Sequence, residues 1–130
     1  MKRFVYLISP NKLNKNFYND LDKVLSYGNV KFFQVRLKKV KPNNLLKIAK
    51  KVRKITRAHK VKFIINDDFN LALKVKADGC HMGQLDGSVK IAKKKLKNKI
   101  LGITCHNSKI LAKIAIKDKA SYLAFGSFFK

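Results

Sequence analysis

The stretch FIINDDFNLALKVKADGCHMGQLD, residues 63–86, holds Asp67, Asp68, Asp78 and Asp86, four of the seven acidic residues of a chain that has no Glu. Asp67 and Asp86 are the groups here best suited to chemistry. They are hard oxygen ligands for a cation such as Mg2+, which keeps several waters and takes further ligands from substrate phosphates. Arg36 and Lys38, in QVRLK (34–38), suit the negative oxygens that such an ion leaves uncovered. The set has the make-up of a metal–diphosphate site, one that assists a reaction expelling diphosphate. Each Asp also has a plainer reading. Asp67 and Asp86 both precede helical patterns and suit N-caps, and Asp68 falls in a first helical turn, where negative charge is favoured.

Such groups act together only if the fold gathers them. Apolar, β-branched and aromatic runs recur as FVYLIS (4–9), KFFQVRL (31–37), KFIIN (62–66), GCHMG (79–83), ILGITC (100–105) and SYLAFGS (121–127). Helical patterns lie between most of them. Phe17, Leu21, Val24 and Leu25 share one face. Leu45, Ile48, Ala49, Val52 and Ile55 share another, opposite Lys47, Lys50, Lys51, Lys54 and Arg57. Pro42, Asn43 and Asn44 mark that helix's start, and Asn107 suits the cap of the helix holding Ile110, Leu111, Ile114 and Ala115. This alternation predicts consecutive βαβ units, a parallel sheet buried on both faces, and one domain over residues 1–130. Polar residues cluster where strands end: Arg36 and Lys38, then Asn66, Asp67 and Asp68, then Gln84 and Asp86, then Thr104 and His106. In parallel α/β folds those ends share one edge, and that edge hosts the active site.

The apolar fraction of 46% is that of a globular protein. No run is long enough for a membrane span, and the apolar part of MKRFVYLISP is too short for a signal peptide, so a cytoplasmic location is expected. The net charge of +24 invites a nucleic-acid reading. Yet only Arg3, Arg36, Arg53 and Arg57 among the basic residues are Arg, the residue that base and phosphate readers favour. A Lys- and Asn-rich surface fits general basicity better. A non-catalytic polyanion-binding protein is the rival, and it predicts binding that weakens steeply with salt. Cys80-His81 and Cys105-His106 suggest zinc, but strand neighbours point to opposite faces and no CxxC spacing occurs. Buried, reduced thiols are expected instead.

QVRLK (34–38), IINDDFNLALKVKADGCHMGQLD (64–86), LGITCHN (101–107) and YLAFGSFF (122–129) resemble, in order and spacing, the thiamine phosphate synthase family. The resemblance covers nearly the whole chain. It implies a TIM (β/α)8 barrel, of which about six βα units are present. It also implies the joining of hydroxymethylpyrimidine diphosphate to thiazole phosphate by an ionising displacement. Diphosphate departs, drawn off by Mg2+ and basic groups, and the thiazole nitrogen captures the pyrimidine methylene cation. By this resemblance Asp67 and Asp86 are Mg2+ ligands, and Arg36, Lys38 and Asn66 hold diphosphate. Gln34 and His81 border the pyrimidine, and Thr104, where the family usually has Ser, lies near both. Leu85 stands where the family often has an acid. The related thiazole tautomerases share His106 but typically lose the Q-x-D block, kept here as Gln84 and Asp86. The chain stops at Lys130, just past the sixth strand. The resemblance therefore leads us to expect a fragment, a truncated product, or a chain completed by a partner, with weak or no synthase activity alone.

Overall fold

The computed structural model describes residues 2–84 and 88–129. Among them β1 (Val5–Ile8), α1 (Phe17–Leu25), β2 (Val30–Val35), α2 (Pro42–Ala58), β3 (Lys62–Asn66) and α3 (Phe69–Lys74) come first. There follow β4 (Gly79–Met82), α4 (Ser88–Leu96), β5 (Ile100–His106), α5 (Lys109–Lys117) and β6 (Tyr122–Phe125). Every strand pair is parallel, and spatial order follows chain order from β1 to β6. That order winds one way, as a barrel wall does; a doubly wound sheet would reverse. A flat sheet would part β1 and β6 by five spacings of about 4.8 Å, roughly 24 Å. Instead the Tyr6 and Tyr122 hydroxyls are hydrogen-bonded and their ring centroids lie 5.5 Å apart. The sheet is a half-barrel.

Strand alternation gives the wall two unlike faces. Phe33, Val35, Phe63, Ile65, Cys80, Met82, Leu101, Ile103 and Cys105 point outward and form the core with Leu21, Leu25, Ala49, Val52, Ala112 and Ala115 of the helices. The inner face carries Tyr6, Gln34, His81, Thr104 and Tyr122, which line a cavity. Burial on both faces, expected of every strand, holds in the middle and fails at the rims. All of β4 is buried, whereas Val5 and Ile8 of β1 and Phe125 of β6 are exposed, since each rim strand has one neighbour. Glycine makes room inside: a Cβ on Gly102 would sit 2.0 Å from Tyr122 Cζ, and one on Gly79 would sit 2.1 Å from the Ile100 carbonyl oxygen.

Pro42 occupies the first position of α2, as expected, and Ala49 and Val52 are buried beneath it. In α5 the stripe is rotated from the expected one. Ala112 and Ala115 face the sheet, while Ile110 and Ile114 are exposed, because small side chains let the helix lie close to β5. Its cap is Ser108, whose Oγ accepts the Leu111 N–H at 3.2 Å, rather than Asn107. Helices α2, α3 and α5 each end in a Schellman turn with Lys60, Lys76 and Lys119 in the left-handed region. In each turn the next residue's N–H returns to a carbonyl of the last turn: Val61 to Thr56, Ala77 to Ala72, Ala120 to Ala115. None of the described helices is long and apolar enough to cross a membrane.

Candidate functional site

At the carboxyl edge of the sheet β3 ends in Asn66, and Asp67 follows with φ +65°. The Asp67 N–H donates to the His81 carbonyl at 2.8 Å, continuing the β3–β4 ladder one step past the strand. The left-handed turn moves capping on by one residue. Asp68 is the N-cap of α3, accepting the Leu71 N–H at 2.8 Å. The Asp67 carboxylate therefore does not cap the helix and, among the described residues, receives only the Asn66 amide, at 3.1 Å. Asp78 belongs to the opposite edge, where it accepts the Phe63 N–H at 2.7 Å and faces Arg53 at 3.9 Å.

Buried Ser9, just past β1, fixes the exit of β2. Its Oγ accepts the Arg36 N–H at 2.8 Å and donates to the Arg36 carbonyl at 3.3 Å. Gln84, beyond β4, donates to the Leu111 carbonyl at 2.8 Å and so ties this edge to α5.

A cavity of about 810 Å3 opens on this edge and brings together Gln34, Arg36, Asn66, Asp67, His81 and Thr104, with Gln84 and His106 beside them. Lys38 stands apart. It lines an adjoining cavity of about 890 Å3, where Lys12, Lys39, Lys47, Lys50 and Lys51 surround Leu13, Tyr18, Leu37 and Ile48. Asp86 lies outside the described residues. Among the described residues no group of three His, Cys, Asp or Glu side chains is placed to hold a metal ion.

Below the polar rim runs a hydrogen-bonded chain that sequence reasoning did not find. Gln34 Nε2 meets Tyr6 Oη at 3.0 Å, Tyr6 meets Tyr122, Tyr122 Oη meets His81 Nδ1 at 2.8 Å, and His81 Nε2 meets Thr104 Oγ1 at 2.7 Å. Burial lowers the His81 pKa, with Asp67 opposing and Arg36 adding to the shift. Burial raises the Tyr6 and Tyr122 pKa values, so both phenols stay protonated. The only sequence signals for the two tyrosines were a polar-tipped aromatic in each rim strand and, for Tyr122, a glycine inside the neighbouring β5. Cys80 and Cys105 are free and buried, with thiol pKa values raised chiefly by burial. Cys80 faces the outer core and His81 the cavity, the opposed arrangement that argues against zinc.

A family model described as thiamine monophosphate synthase matches residues 5–130. The chain is 60% identical over 129 residues to the thiamine-phosphate synthase of Pelagibacter ubique, covering 98% of this chain and 62% of that one. It is 41% identical over 128 residues to the thiamine-phosphate synthase of Erythrobacter litoralis, covering 96% and 60%. The solved thiamine phosphate pyrophosphorylase from Pyrococcus furiosus superposes with a TM-score of 0.85 at 31% identity, covering 97% of this chain and 61% of that chain. The chain thus spans about three fifths of the length of these relatives. On the family match and these identities, the chain belongs to the thiamine monophosphate synthase family.

Proposed function

We propose that this chain carries the diphosphate and pyrimidine half of a thiamine phosphate synthase site, built on one part of a TIM (β/α)8 barrel wall. The observation that carries this is the meeting of Gln34, Arg36, Asn66, Asp67, His81 and Thr104 in one cavity at the carboxyl edge of the strands. The names of the relatives favour the synthase over a tautomerase. The substrates are then hydroxymethylpyrimidine diphosphate and thiazole phosphate, and a cytoplasmic location accords with such phosphorylated molecules.

Mg2+ fits the residues present. Asp67 offers a carboxylate on the cavity wall that, among the described residues, accepts only the Asn66 amide, and a site with one or two protein carboxylates is what Mg2+ takes when phosphates and waters complete its shell. Asp67 and Asp86 would hold it. When bound, the ion supplies neutralisation of the charge that builds on departing diphosphate. Arg36, its backbone clamped by Ser9, adds a fixed positive charge for the same oxygens. Asn66 donates its amide at the strand end, between Asp67 and the phosphates. Gln34 and His81 lie deeper on the cavity wall, where they would border the pyrimidine. The bond that breaks joins the pyrimidine methylene to diphosphate oxygen, the electron pair leaves with diphosphate, and the thiazole nitrogen forms the new bond.

Equilibrium dialysis with hydroxymethylpyrimidine diphosphate tests the reading. Expected is binding that needs Mg2+ and is displaced by inorganic diphosphate. Binding that ignores Mg2+ and is displaced as well by arbitrary DNA would favour the polyanion reading instead.

A further inference from the structure

We propose that Tyr6 and Tyr122 are positioning residues: their hydroxyls carry a one-way hydrogen-bond chain from Gln34 that holds His81 as its Nε2–H tautomer and turns the Thr104 proton toward the cavity, where a ligand must present an acceptor. This deepens the synthase reading and rests on it for the ligand's identity.

In the proposed sense each proton along the chain has one acceptor. Gln34 Nε2 donates to Tyr6 Oη at 3.0 Å. A phenol has one proton; either hydroxyl of the Tyr6–Tyr122 pair can be the donor, and in the proposed sense it is Tyr6. Tyr122 then gives its own to His81 Nδ1 at 2.8 Å, which must be bare to accept it. The imidazole proton therefore sits on Nε2 and goes to Thr104 Oγ1 at 2.7 Å. Thr104 accepts from His81 and keeps its own proton for the cavity it lines. The opposite sense, with Thr104 donating to His81 Nε2 and Nδ1–H donating to Tyr122, would give the Nδ1–H tautomer, and the two are told apart by the ring nitrogens.

The wall is built for this contact. Gly102 pairs with His81 on one side and Tyr122 on the other, and a Cβ there would lie 2.2 Å from the Tyr122 hydroxyl. With no side chain in the way, the Tyr122 ring lies against the imidazole, centroids 5.6 Å apart and 27° from parallel.

The test is nitrogen NMR of the ligand-free protein labelled with 15N-histidine, at a pH where His81 is neutral. His59→Gln and His106→Gln assign the His81 signals. Expected is one tautomer, with a pyrrole-like Nε2 and an Nδ1 shifted by an accepted hydrogen bond. Tyr122→Phe should lose that shift, moving Nδ1 toward the value of an unbonded ring nitrogen. An Nδ1–H tautomer in the wild type, or an Nδ1 signal unmoved by Tyr122→Phe, overturns the proposal. The wild-type tautomer decides the direction by itself should the variant fail to fold. No ligand is present, so failure of the synthase reading would leave this result standing, and the reverse.

Discussion

Asp67 and Asp68 are adjacent in the chain but do opposite work: Asp68 accepts the Leu71 N–H at 2.8 Å and caps α3, while Asp67 turns left-handed at φ +65° and lines the cavity. One carboxylate is committed to the fold. The other lines the cavity and, among the described residues, accepts only the Asn66 amide.

The two should separate under mutation. Asp68→Ala removes a cap and should cost about 1 kcal/mol, read by urea denaturation, with diphosphate binding unchanged. Asp67→Asn keeps a residue that tolerates the left-handed region. It should leave stability within about 0.5 kcal/mol while weakening Mg2+-dependent binding at least tenfold.

The Schellman turns offer a gain in stability. Lys60, Lys76 and Lys119 hold φ of +57°, +55° and +62°, which a Cβ disfavours. Replacing each by Gly should raise stability by roughly 0.5–1 kcal/mol, less the added freedom of glycine in the unfolded chain. Thermal unfolding of the three single variants measures it, and effects at such distant sites should add.

Gly102→Ala should do the reverse. The new methyl would meet the Tyr122 ring 2.0 Å from Cζ, a clash relieved only by moving that ring or the wall. Overpacking of this kind costs about 1–3 kcal/mol, and the midpoint of denaturation should fall accordingly.

Alkaline pH should expose the buried thiol of Cys80. Burial first, and the charges of Asp67 and Asp68 next, push its pKa from 9.0 up to about 12. Below pH 9 the thiol is protonated in both states and its contribution is fully present. Between pH 9 and about 12 the unfolded chain ionises while the folded one does not, so that contribution is lost as pH rises. The two proteins differ only at residue 80, so contributions from every other group cancel in the comparison. The difference in unfolding free energy between wild type and Cys80→Ala should therefore narrow from pH 9 to pH 11.

Much of the fold was readable because it is local. The run KFIIN coincides with β3 at 62–66, and the βαβ alternation gave the parallel order. The convergence of Arg36, Asn66, Asp67 and Thr104 was readable because parallel strands bring their ends to one edge. The caps were read one residue early, at Asp67 for Asp68 and at Asn107 for Ser108. A left-handed residue stands at the strand end in both places, Asp67 just after β3 and His106 as the last residue of β5, and no side-chain pattern announces it. The Tyr6–Tyr122 link was beyond reach for a different reason. The two residues are 116 positions apart and meet only once the sheet has curled. Likewise Lys38 sits one residue from Leu37 in a strand exit that directs it to the neighbouring cavity, a choice made by the β2–α2 loop.

Titration calorimetry of inorganic diphosphate into the protein, with and without MgCl2, tests the central claim most directly. Expected is saturable binding with Mg2+, loss of at least tenfold in affinity without it, and a similar loss in Asp67→Asn. Equal binding with and without Mg2+, or an Asp67→Asn protein that binds as the wild type does, would contradict it.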